Sequence, residues 1–161
     1  METSTKRISP EILFSAIKEQ LAEGREVSFT VTGKSMWPFI INERDSVIIR
    51  SCDPEQVKTG DIILFQTPAR NYKLHRITSL KNDQFEATGD GNLIRDGWFS
   101  RDCIIARVER IIRKGKVIRC DDYFWRFVFS AWMFLYPIRP FLACILITAG
   151  KIKTCLTRQK G

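Results

Sequence analysis

A chain of 161 residues with 44% apolar side chains has room for one domain with a buried core, which excludes a disordered tail. Its five cysteines, at 52, 103, 120, 144 and 155, are widely spaced, with no C-x-x-C pair and a single histidine, so neither a disulfide scaffold nor a bound metal is expected, and no cofactor. Of the formal net charge of +8, residues 123–161 carry +6 through Arg126, Arg139, Lys151, Lys153, Arg158 and Lys160 with no acid. A basic tail beside an apolar run suits an anionic membrane surface, and it lacks the aromatic and basic stripe of a nucleic-acid face.

The first 30 residues hold no continuous apolar run, so neither a secretory signal nor a leading transmembrane helix is expected there. Instead "SPEILFSAIKEQLAEG" reads as a helix with both ends marked: Ser9 as N-cap, Pro10 at the first helical position and Gly24 just past the end. Ile12, Leu13, Ala16, Ile17 and Leu21 are its expected apolar face. This segment, residues 1–26, forms the first unit.

From residue 27 to about 120 the period changes to two. "EVSFTVT", "DSVIIR", "GDIILFQ", "YKLHRITSL", "QFEATG" and "CIIARVERIIRKGKVIR" are β-branched runs separated by Asn, Asp, Pro and Gly. They predict a mainly β domain built on an antiparallel sheet.

Residues 121–161 form the third unit. "YFWRFVFSAWMFLYPIRPFLACILITAG", residues 123–150, is apolar almost throughout but broken by Pro137 and Pro140, with uninterrupted pieces of about a dozen residues where a span needs roughly 20. The expectation is an apolar hairpin of two short helices associated with the membrane interface, with Trp125, Trp132 and Tyr136 at headgroup depth, or else packed on the β-domain.

Three residue types that could do chemistry stand in order. Ser35, in "VTGKSMWPFI", follows a strand, where serine is ordinarily a turn former. His75 lies in "YKLHRITSL", where strict alternation puts Lys73, His75 and Ile77 on one face and Tyr72, Leu74 and Arg76 on the other. An imidazole with a free pKa near 6.5 can take a serine proton and return it to a leaving amine. Asp90 and Asp96 lie in the Gly-rich stretch "EATGDGNLIRDGW", where either carboxylate could orient the imidazole or simply form a turn.

"VTGKSMWPFI", "RDSVIIR", "TGDIILFQ", "LHRI", "TGDGNLIRD" and "SRDCIIARV" fall in the order and approximate spacing of the conserved blocks of the signal peptidase I family of serine peptidases. The histidine in "LHRI" resembles the endoplasmic-reticulum and archaeal branch, which uses Ser, His and Asp. The resemblance covers residues 31 to about 109. It implies a coiled β-sheet peptidase domain in which Ser35 is the nucleophile, His75 the general base, Asp96 the catalytic aspartate and Asp90 a second acid close by.

It further implies that the Ser35 backbone N–H binds the oxyanion, that Met36 and Trp37 lie below or beside the scissile bond, and that the substrate is a signal or leader peptide cut after a small residue. Two features set this chain apart. Many family members have a serine two positions before the nucleophile to help hold the oxyanion; here that position is Gly33, with Thr32 as a substitute. The apolar segment also sits at the carboxy end, leaving the side of the membrane open. A relative that binds peptide or membrane without cutting is the alternative.

Overall fold

Apolar and polar residues alternate from Val27 onward, and the computed structural model, which describes residues 10–138, pairs these runs into one antiparallel sheet of eight strands. The strands are β1 (Val27–Thr30), β2 (Ser46–Arg50), β3 (Ile62–Gln66), β4 (Tyr72–Lys81), β5 (Gln84–Thr88), β6 (Trp98–Ser100), β7 (Ile104–Arg113) and β8 (Lys116–Arg119). Their order is β1-β2-β7-β3-β4-β5-β6, with β8 also on β7, and the sheet does not close into a barrel. The protein is therefore mainly β, as its period predicts. The expected run from Cys103 to Arg119 divides into β7 and β8 at a tight turn through Lys114 and Gly115.

Each face of the sheet has its own core. Ile62 and Leu64 of β3 join Val47, Ile49, Val108 and Ile111 on one side, while Ile63 and Phe65 join Ile77, Phe85, Ala87 and Ile104 on the other. Burial on both sides is why "IILF" is apolar without alternation. Register bulges at Ile48/Ile49 and Leu64/Phe65 bend the strands around these two cores.

Helix α1 (Pro10–Ala22) covers the first core with Ile17 and Leu21. Its buried face differs from the expected one. Ile12 and Ala16 are exposed, and Phe14 takes their place, stacked on Tyr72 at 4.0 Å between ring centroids. The stripe is rotated toward the aromatic side chain because that contact buries more apolar surface than an isoleucine would.

Helix α2 (Tyr123–Phe134) begins at Asp122, whose carboxylate accepts from the backbone N–H groups of Phe124 and Trp125. Of the two placements expected for the first half of the hairpin, its inner face takes the one against the β-domain. Phe129 is buried, and Trp125, Val128 and Trp132 pack against the α1-side core, so the tryptophans face the protein's own sheet. Tyr123, Phe124, Phe127 and Phe134 remain exposed on the opposite face. No helix among the described residues is long and apolar enough to cross a membrane. The second half of the expected hairpin, most of the basic tail and Ser9 lie outside the described residues.

Candidate active site

The segment after β1 leaves the sheet and turns back on itself. Val31 N–H donates to the Asp45 carbonyl at 3.0 Å, Gly33 N–H donates to Asn42 Oδ1 at 2.7 Å, and Ile40 N–H donates to the Met36 carbonyl at 3.0 Å. Gly33 has φ +100°, a conformation in which a serine would be strained. That is the local reason glycine occupies the position two before Ser35. Met36 is 1% exposed and plugs the turn into the core, leaving Ser35 beside it half-buried and Trp37, which enters a cis peptide with Pro38, also half-buried.

A second loop, residues 89–96, closes over this turn. Gly91 N–H donates to the Ser35 carbonyl at 2.8 Å. Gly89 lies so close that a β-carbon on it would meet the Ser35 carbonyl oxygen at 2.5 Å and the Ser35 Cβ at 2.9 Å. Only glycine permits that approach. The far end of the loop is tied back to the sheet by Asp96 N–H donating to the Ala87 carbonyl at 3.0 Å.

Strand β4 carries the opposing groups, on alternate faces as its period requires. His75, paired in register with Ile63, is 5% exposed and meets the ring of Phe65 edge-on at 6.4 Å. Its Nδ1 is hydrogen-bonded to Asp96 Oδ2. Lys73, two residues earlier on the same face, donates from Nζ to Asp96 Oδ1 at 2.5 Å. One carboxylate is thus held between two side chains of one strand. Burial pushes the Asp96 carboxyl upward, but hydrogen bonds from His75 and Lys73, with their positive charge, outweigh it and hold Asp96 below the usual carboxylate range.

Arg76 and Asp90 are engaged on the opposite face. Arg76 donates from Nε and Nη2 to the two Asp90 oxygens at 2.8 and 2.7 Å, and from Nη1 to the Gly60 carbonyl at 2.8 Å. Its guanidinium lies over the Phe129 ring at 4.1 Å. Asp90, expected as a second acid, is bound in this pair, which fixes the start of the loop. Helix α2 and the 3-10 turn after it (Tyr136–Ile138) hold the same loop from outside: Trp132 Nε1 donates to the Asp90 carbonyl at 3.0 Å and Tyr136 Oη to the Leu93 carbonyl at 2.6 Å.

His75 and Asp96 are therefore in contact, and Ser35 is joined to the Asp96 loop through backbone. Among the described residues the Ser35 hydroxyl has no hydrogen-bond partner, the imidazole included, and the Ser35 backbone N–H also donates to none. Thr32 is exposed and lines a groove of about 940 Å³ with Phe14, Phe29, Val31, Tyr72 and Leu74. A smaller cavity of about 230 Å³ is lined by Lys58, Asp61, Arg107, Cys120 and Arg126 among others, and neither it nor the groove is lined by Ser35, His75 or Asp96.

Two participants were not singled out from the sequence. Lys73 had the signal, since it shares the His75 face, but a lysine on a strand ordinarily reads as a solvated edge residue. Arg76 offered only its place in "LHRI". Chemically, a carboxylate on Nδ1 favours the tautomer with a proton on Nδ1 and a lone pair on Nε2, the form a general base needs. Comparison with family models gives no match, and comparison with curated protein sequences gives none either.

Proposed function

We propose that this protein is a membrane-associated serine endopeptidase resembling signal peptidase I, which cuts a signal or leader peptide after a small residue. The observation that carries the reading is the contact between His75 and Asp96, on a loop packed directly against Ser35. In the proposed reaction Ser35 Oγ attacks the scissile carbonyl while His75 Nε2 takes its proton. His75 then protonates the leaving amine as the C–N bond breaks, and water activated by the same ring hydrolyses the acyl-enzyme. Asp96 holds the ring throughout, and the Ser35 backbone N–H faces the developing oxyanion.

Membrane association is drawn from the exposed aromatic face of α2 and the basic excess of residues 123–161. The second reading, a relative that binds peptide without cutting it, is favoured by the unbonded Ser35 hydroxyl and by Gly33 at the oxyanion position. Catalytic hydrogen bonds often tighten only when substrate is bound, so the first reading stands ahead. Cleavage of a vesicle-presented precursor with small residues before the cut site decides between them. The expected result is cutting by the wild type that both Ser35→Ala and His75→Ala abolish. Binding of the precursor without cutting would select the second reading.

A further inference from the structure

Asp96 receives two donors from one strand, and only one of them belongs to a Ser-His-Asp mechanism. Its side chain is 8% exposed, so an ionised carboxylate there needs more than a neutral imidazole to offset burial. Lys73 supplies the missing charge at 2.5 Å, from a side chain that is itself 35% exposed and so can remain hydrated at its outer end.

The neighbouring elements offer Asp96 no substitute among the described residues. Strand β3 (Ile62–Gln66) has no charged residue, and Arg95, the cation next to Asp96 on the loop, is paired with Glu86 of β5. Arg76 of β4 is taken by Asp90.

We propose that Lys73 is a positioning residue that keeps Asp96 an ionised acceptor and thereby fixes the His75 tautomer that leaves Nε2 free. The inference rests on the peptidase reading for its catalytic meaning, although the contact itself does not. Without Lys73, Asp96 loses one of the two side-chain donors that offset its burial, and the balance moves toward the protonated carboxyl. A protonated Asp96 donates to a ring nitrogen, and the imidazole proton then moves to Nε2, where the lone pair is needed. The carboxylate also loses the bond that fixes its plane, because one hydrogen bond leaves it free to turn about its own axis.

The single histidine makes this directly observable. In protein labelled with nitrogen-15 at histidine, the two ring nitrogens of His75 report which one carries the proton, with no substrate present. At a pH where the ring is neutral, wild type is expected to show the proton on Nδ1. Lys73→Met should give a mixed or Nε2-protonated ring, and Lys73→Arg should restore the wild-type pattern because it returns the charge. Lys73→Gln, which keeps a donor without charge, serves if the Met variant melts substantially lower than wild type, and should behave as Met does.

With the cleavage assay in hand, Lys73→Met should lose roughly ten- to hundredfold in kcat with KM little changed, the order of loss seen when an outer hydrogen-bond partner of a metal-bound histidine is removed. An unaltered Nδ1 tautomer in both Met and Gln variants overturns the proposal. So does a wild-type kcat in both. A tautomer that responds to Lys73 in a wild type that cuts nothing would retain Lys73 in this role and remove the peptidase reading instead.

Discussion

The guanidinium of Arg76 grips both carboxylate oxygens of Asp90, at 2.8 and 2.7 Å, with each side chain only 1% exposed. A buried pair of this kind contributes little over well-packed apolar residues, but removing one partner strands the other charge. Arg76→Leu or Asp90→Leu alone should therefore destabilise by about 3–5 kcal/mol. Replacing both at once should cost less than either single change. Denaturant unfolding of the three variants measures this.

Asp96 and Asp90 should respond oppositely to amidation. Asp96→Asn leaves the sheet intact but lets the amide N–H donate to His75 Nδ1 and fix the wrong tautomer, and is expected to lose on the order of 10⁴-fold in kcat, as when a triad aspartate is changed to asparagine. Asp90→Asn should lose mainly stability. Parallel melting curves and cleavage rates separate the two, and equal rate losses would contradict the assignment.

Because the folded-state Asp96 carboxyl lies below its reference value of 3.8, it favours the folded state whenever it is ionised. That stabilisation is fully present above the unfolded pKa and is lost as the pH falls from there through the lower folded value. Lys73→Met should move the acid-unfolding midpoint upward. Stability at pH 7 against stability at pH 3, compared between the two proteins, gives the sign.

Gly89 is the closest approach between the two loops. Gly89→Ala places a methyl 2.5 Å from the Ser35 carbonyl, so the Ser35 turn must move. The expected outcome is a loss of cleavage far larger than the loss of thermal stability, read from the same preparation. An alanine variant with wild-type rate would show that the two loops need not touch.

Cys120 gives a check on packing independent of any activity. Burial pushes its thiol up to about 12, so little thiolate exists at neutral pH. Alkylation at pH 8 should label it slowly in the folded protein and rapidly in denaturant, as followed by peptide mass.

Much of the fold was legible because strand periodicity reports which face a side chain takes. Lys73, His75 and Ile77 were placed on one face and Arg76 on the other, and the structure agrees residue by residue. What alternation cannot report is what each face meets. Arg76 looked like any strand arginine, yet is among the most buried side chains, because its partner comes from a loop fourteen residues later. The aromatic run after residue 122 allowed two placements for a similar reason. Tryptophan and tyrosine join an apolar body to one polar atom, which suits a lipid headgroup and a loop carbonyl equally. Trp132 and Tyr136 take the carbonyls. Strand β6 was missed because three residues beside a glycine carry too little pattern.

The two hydrogen bonds from Trp132 and Tyr136 also bear on the order in which the molecule is made. Synthesis runs from the amino end, so Ser35, His75 and Asp96 all leave the ribosome before the helix that holds the loop between them. Until residues 129–136 emerge and dock, the Asp90 and Leu93 carbonyls lack these donors and Arg76 lacks its aromatic cover. The candidate site is thus completed last. A nascent chain stalled before residue 123 would carry every residue of the proposed mechanism and still lack the part that sets their loop.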